Sequence, residues 1–301
     1  FEGRYAFDGF NNNDVSIDRL HYYFPIGDKL KVFAMASLGG HHFYADTFNS
    51  GLEVGGGANG SLSRFGERNP IYRLGLGGQG IGLTYNINEV LQISGGYLAR
   101  GGNDPSEGAG LFNGNYSAMG QLVVKPTDRI KFGFTYLNAY DTTTRPFAFG
   151  ATGTQLGNMR LGRVGLANQP VSSNSYGIQG QFDISPKFSI RAWGGYTDTK
   201  LIGLGDGEIW NYALVLAFPD LGKEGSMGYL LAGAEPYLAG LEVPGDGPMT
   251  NDTPFHIEVA YKYQMTDNIS ITPGLIWLTS PNQDNSNDDV FIGTVRTTFK
   301  F

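Results

Sequence analysis

The closing stretch Val290-Phe-Ile-Gly-Thr-Val-Arg-Thr-Thr-Phe-Lys-Phe301 alternates apolar and polar side chains and stops on an aromatic residue. In an extended strand successive side chains point to opposite faces, so Phe291, Val295, Phe299 and Phe301 share one face while Thr294, Arg296, Thr298 and Lys300 share the other. One face suits lipid and the other water. A half-buried strand of a soluble sheet alternates in the same way, so the reading depends on how often the pattern recurs.

It recurs along the whole chain. Phe255, Ile257, Val259, Tyr261 and Tyr263 oppose His256, Glu258, Lys262 and Gln264, and Ile130, Phe132, Phe134 and Tyr136 oppose Arg129, Lys131, Gly133 and Thr135. Tight polar turns at 25–28, 86–89, 125–128, 183–186, 219–226 and 265–268 each join two such runs. These turns flank twelve strands; an opening strand near Phe1 to Phe10 and the closing strand 290–301 raise the total to about 14, or 16 if 39–70 hides a further hairpin. An even count returns both ends to one rim, where the first strand pairs with the last and no edge is left open to the bilayer. The longer connections, at about 39–70, 100–115, 141–173, 200–208, 239–254 and 281–289, fall on the side opposite the tight turns. Short turns at one rim, long loops at the other and runs of about 9–12 residues are the pattern of an outer-membrane barrel. The expectation is therefore all-β: one closed antiparallel transmembrane β-barrel over 1–301, in contact with outer-membrane lipid.

Composition fits this expectation. The 301 residues include 46 Gly, 20 Phe and 17 Tyr but only 16% charged side chains, and the mean hydropathy of -0.21 is what results when lipid-facing and water-facing residues cancel. No run reaches the roughly 18 consecutive apolar residues of a membrane helix. Tyr85, Tyr97, Tyr116, Tyr140, Tyr196 and Trp277 lie near strand ends, where an interfacial girdle belongs. The absence of Cys removes a disulfide framework, a thiolate metal site and a cysteine nucleophile together. A net charge of -7 argues against a nucleic-acid partner. Phe1 follows neither an initiator Met nor a signal segment, and the chain is read as a mature or trimmed piece.

With apolar residues turned to lipid, the other face lines a lumen. Alternation directs Arg4, Arg19, Lys31, Arg73, Lys131, Arg191, Lys262, Arg296 and Lys300 inward, against Glu2, Asp8 and Glu258, so the acidic excess lies in loops such as Asp284–Asp289. A basic wall concentrates anions and an acidic mouth cations; for any one of these bases a solvated or salt-bridged structural role is the competing reading. The longest connection, 141–173, is the expected constriction and carries Arg145, Arg160 and Arg163; the next candidate is 39–70, with Arg64 and Arg68.

Catalytic signals are scarce. His41-His42 with Asp46 is a weak metal motif because adjacent side chains often point apart, and the Asp-rich 284–289 stretch lacks the glycine and terminal Glu of an EF-hand loop. The glycines of 55–60 and 75–82 are followed by no Gly-Lys-Ser/Thr and open no helix. No catalytic residue, metal or cofactor is expected, and the chain is read as a non-enzyme.

Six segments carry a family resemblance: Pro70–Leu74, Gly110–Gly114, Ser172–Gly177, Leu216–Gly225, Thr266–Thr279 and Gly293–Phe299. In these the chain resembles the Som-type cyanobacterial outer-membrane porins, the iron uptake porin family, related to carbohydrate-selective porins. The resemblance extends over most of the chain from about residue 64 onward. It implies a homotrimeric passive diffusion channel for small inorganic solutes, iron species among them. It also implies an upstream surface-layer-homology domain and coiled coil that bind peptidoglycan or its attached polymer and lie outside this chain. The alternatives are an autotransporter-type translocator, which needs a helix through the lumen before the first strand where Phe1 to Phe10 shows no helical period, and a pure envelope tether. A membrane lipase would need a Ser and a His together on an outward strand face, and His256 is expected to point inward.

Overall fold

The computed structural model describes residues 1–8, 19–53, 59–144, 147–160, 169–244 and 250–300. Among these are thirteen strands in one sheet: β1 Leu20–Ile26, β2 Leu30–Gly39, β3 Gly78–Asn86, β4 Leu91–Arg100, β5 Asn115–Thr127, β6 Ile130–Asp141, β7 Val171–Ser185, β8 Phe188–Leu201, β9 Gly205–Pro219, β10 Met227–Glu242, β11 Phe255–Gln264, β12 Ile269–Leu278 and β13 Val290–Phe299. Each strand pairs antiparallel with its neighbours in sequence, so the sheet is a simple meander. No helix of the described residues is long and apolar enough to cross a membrane. Their one α-helical turn is Gly110–Asn113, so no described helix threads the sheet as the translocator alternative requires.

All six expected tight turns are present between β1 and β2, β3 and β4, β5 and β6, β7 and β8, β9 and β10, and β11 and β12. The opposite rim carries the long connections, except that the expected loop 200–208 shrinks to 202–204 because β8 and β9 extend their ladder to the Leu201–Gly205 pair. Alternation sorts the faces as expected on β13, where Phe291, Val295 and Phe299 are exposed while Arg296 and Thr298 are buried. The outer face carries two aromatic series: Tyr97 stacks on Tyr116 and Tyr116 on Tyr140, and Tyr136, Tyr176, Tyr196 and Trp210 follow one another across β6 to β9. Trp277 stacks on Phe291, with ring centroids 5.7 Å apart.

The opening strand is a correction. Residues 1–8 form no strand beside β13. They turn to the inner face as a strap, where Tyr5 bridges to Ser63, Ala6 N donates to Leu62 O and Arg64 N donates to Arg4 O. Gly3 marks the departure with φ +64, a left-handed value outside the β region, and its N–H is taken by Glu235. Gly9 and Phe10 lie outside the described residues, and β1 and β13 have no pairing among the described ones. The hairpin considered within 39–70 is absent there too: the described part of that stretch makes 3-10 turns at His41–Phe43 and Phe65–Glu67, followed by Pro70–Arg73.

Candidate functional site

The inner face is covered by chain rather than left open. The inner segment, 40–76, whose described parts are 40–53 and 59–76, runs along it in those parts and touches strands from one side of the sheet to the other. Thr84 on β3 donates to Tyr44 O. Tyr72 OH donates to Gln121 on β5 at 2.6 Å and lies 3.3 Å from Thr135 Oγ1 on β6, and Gln179 on β7 donates to Tyr72 OH at 2.7 Å. Arg191 on β8 donates to Asn49 Oδ1, Leu62 N to Tyr229 OH on β10 and to Glu258 on β11, and Arg296 on β13 to the carbonyls of Ser61 and Gly60. One segment reaches strands this far apart because the sheet curls around it.

Apolar packing completes the filling. Tyr44, Ile71, Tyr72 and Leu74 of the segment pack with Leu98, Met119 and Leu137 of the wall and with Phe147, Phe149 and Met159 of a second inward stretch, 147–160. Leu52, Leu62 and Phe65 pack with Trp193, Val215 and Leu231. The simple division of lipid-facing apolar and lumen-facing polar residues is thus corrected: inward positions are apolar where they meet folded-in chain. Inner-wall glycines make room for it. A Cβ on Gly82 would collide with the Tyr44 ring and one on Gly133 with the Phe48 ring.

The charged site sits on the inner segment. Glu67 accepts from Arg73 and also pairs with Arg68 at 3.5 Å, while Arg64 donates to Gly150 O and to Asp8, which pairs with Arg4 at 2.5 Å. Burial, the largest influence, lowers Arg68 to about 10 and Arg73 to about 9, so both stay charged at neutral pH. Burial opposes ionisation of Asp8, but Arg4 and Arg64 outweigh it and hold this carboxyl below the usual range. The Nε–H groups of Arg64, Arg68 and Arg73 are buried and have no protein acceptor among the described residues.

The expected lumen residues divide into groups. Lys131, Arg191, Glu258, Lys262 and Arg296 lie on strands as expected, and Lys131 Nζ binds both oxygens of Asp46 at 2.8 Å. Lys31 lies on β2, exposed and opposite Thr84. Arg19 precedes β1 and places its guanidinium 4.4 Å from the Phe43 ring centroid, and Lys300 follows β13 at the tight-turn rim. Arg4 and Arg73 are corrections: Arg4 is on the strap, and Arg73 ends the 3-10 turn that Asn69 caps by accepting Ile71 N and that Pro70 starts. Of the expected constriction arginines, Arg145 and Arg163 lie outside the described residues, while Arg160 donates to Thr144 O and Asn158 O. The stretch 147–160 does fold inward, but 40–76 makes the broader set of contacts. Sequence reasoning weighed Asp46 only beside His41-His42 and missed Glu67 and Glu235; all three bring acid to the basic wall, and Asp46 and Glu67 are in a loop whose inward course no periodicity reveals.

At the tight-turn end the interior opens. A cavity of about 560 Å³ is lined by Ser50, Arg129, Gln181, Asp183 and Arg191 among others, and an adjoining one of about 450 Å³ by Asp46, Lys125, Lys131 and Asp183 among others. Burial keeps His41 neutral, and both of its ring nitrogens are already taken, facing Tyr44 OH at 2.5 Å and Ser117 Oγ at 2.8 Å. No cluster of three metal-ligating side chains occurs among the described residues.

Comparison with known proteins places this architecture. A family model described as carbohydrate-selective porin, OprB family, matches residues 4–301. An uncharacterized protein of Nostoc sp. strain PCC 7120 is 40% identical over 96% of this chain and 51% of its own length, and one of Synechocystis sp. strain PCC 6803 is 34% identical over 99% and 56%. The chain thus spans about half the length of the curated relatives it matches. Among solved structures, Pseudomonas putida OprB is similar at a TM-score of 0.53 with 12% identity, covering 91% of this chain and 70% of that one. An anion-selective porin from Comamonas acidovorans follows at 0.50 and 11%, covering 85% and 76%.

Proposed function

Because this chain belongs to the OprB family of carbohydrate-selective porins and so to the outer membrane, we propose that it is a passive diffusion channel whose bore is set by the inner segment 40–76. The observation that carries this reading is the wall-to-wall bonding of that segment from Thr84 to Arg296. A curled sheet closed into a barrel, with solute passing beside the segment, accounts for it. Small inorganic ions and small polar solutes are the proposed cargo, with iron species entering only as further small hydrated solutes. The family description names carbohydrate, and a monosaccharide is the upper size expected here.

The test is liposome swelling beside planar-bilayer conductance. Salts should pass readily, a monosaccharide slowly and a disaccharide not at all. Free passage of a disaccharide would refute the constriction, and absence of any conductance would refute the channel.

The lumen residues keep an excess of base over acid even after Asp46, Glu67 and Asp8 are paired, so a weak anion preference is proposed for the isolated barrel. The exposed apolar outer face suits lipid and also the contacts of a homotrimer, which crosslinking in membranes checks. The greater length of the relatives supports the proposal that the whole protein carries a further domain that binds peptidoglycan or its attached polymer. Co-sedimentation of the full-length protein with cell-wall sacculi tests it, and loss of sedimentation on removal of the further domain is the expected result.

A further inference from the structure

Three separate stretches of chain dock on the inner face at one place. Glu235 on β10 accepts Gly3 N through Oε1 at 2.8 Å and Gly153 N through Oε2 at 2.6 Å. Glu258 on the neighbouring β11 accepts Leu62 N at 2.9 Å and Ser63 N at 3.3 Å through Oε1, and Ser63 Oγ through Oε2. His256 stands between them, with Nδ1 2.7 Å from Glu235 and Nε2 3.2 Å from Glu258. Both ring nitrogens face carboxylate oxygens, and only an imidazolium that donates twice satisfies both contacts. All three residues are 2% exposed or less.

Burying two carboxylates and an imidazolium is expensive, and apolar residues of similar size commonly serve a wall as well. What the group gains in return is specific: its oxygens are taken by backbone N–H groups of the strap, of the inner segment and of the 147–160 stretch. Each of these stretches lacks a ladder of its own and needs a fixed anchor. We propose that Glu235, His256 and Glu258 form a latch that positions the three inward stretches and thereby sets the bore. The latch rests on the channel reading above, and its members are positioning residues rather than solute ligands.

The other ionisable groups that face the latch are Glu2 of the strap beside Glu235, and Tyr229 of β10 and Arg296 of β13 beside Glu258.

The absence of Cys makes single-cysteine reporters clean. Thr152→Cys reports on the 147–160 stretch and Ser61→Cys on the inner segment. In Glu235→Gln the labelling rate of Thr152→Cys should rise roughly 10- to 100-fold while that of Ser61→Cys stays put, and Glu258→Gln should do the reverse, the change expected when a hydrogen bond to a charged group is lost. Single-channel conductance should rise in both variants. Tyr229→Phe, which keeps both carboxylates and removes the 2.5 Å hydroxyl donor to Glu258, should raise Ser61→Cys labelling by less than Glu258→Gln does. If Glu258→Gln does not fold, a rise in Ser61→Cys labelling without a rise in Thr152→Cys labelling in Tyr229→Phe makes the same test on the inner-segment side. Unchanged labelling, or both reporters rising together in either variant, overturns the latch. A wild-type protein that does not conduct strikes at the channel reading instead, and the labelling ratios still decide the latch.

Discussion

At the scale of single residues, two kinds of position do unlike work on the inner face. Gly133 is small because the Phe48 ring occupies the space a side chain would take. Gly133→Leu should therefore displace the inner segment and destabilise the protein by about 1–3 kcal/mol, as overpacking does, with a shifted unfolding midpoint in detergent as the check. Lys131 is charged because Asp46 comes to meet it. Lys131→Gln removes one base and frees the acid bonded to it, whereas Arg191→Gln removes a base whose hydrogen-bond partners, Asn49 and Ser189, are neutral and which Asp183 and Glu53 reach only through space. Reversal potentials in a salt gradient should shift toward cations further for Lys131→Gln than for Arg191→Gln, and more at low salt, because the Debye length is only about 8–10 Å at physiological salt. Equal shifts would mean that Asp46 finds another partner.

At the scale of elements, the strap 1–8 responds to pH through two carboxyls of opposite sign. Asp8 is held below its ordinary 3.8 in the docked strap, so its contribution is present above that value and fades as pH falls through the lowered one. Glu2 is pushed up from 4.5 to about 7, first by burial and next by Glu235, so docking is fully favoured below 4.5 and loses ground as pH rises toward 7. Amide exchange at Ala6, whose N–H is held by Leu62 O, should be slowest between those limits. Asp8→Asn should flatten the acid side and Glu2→Gln the neutral side; a profile that neither variant alters would show that the strap is held by Glu235 alone. The strap also explains why the opening strand was misplaced. Phe1, Tyr5 and Phe7 alternate with charged residues as a wall strand would, but alternation is equally satisfied by a stretch that pairs with Ser63 and Leu62.

At the scale of the whole molecule, the number that matters is how much chain lies inside the curl. Stretches 1–8, 40–76 and 147–160 all turn inward, and the space they leave at the tight-turn end forms cavities of about 560 and 450 Å³. Deleting 147–160 with a short linker should raise conductance yet keep the sheet, since only the inward face of the wall loses contacts. Unfolding on deletion would instead make that stretch part of the core. Anion over cation preference should fall with rising salt in the intact channel, and a clear cation preference at low salt would show that the acidic loops outweigh the wall.

The meander, its six tight turns and the sorting of Phe291, Val295 and Phe299 from Arg296 and Thr298 were all legible in the chain, because strand periodicity and turn chemistry are local and each residue's face follows from its parity. The course of 40–76 was not. Its glycines, His41-His42 and Arg64 to Arg73 have no period, and its position is fixed by partners far away in sequence: Glu258 for Ser63, Gln179 for Tyr72, Arg296 for Ser61. Local pattern determined which face of its strand a residue takes. Only the tertiary structure decided what fills the inside, because an inward loop is held by hydrogen bonds and apolar contacts to many strands at once, and those contacts exist only after the sheet has curled.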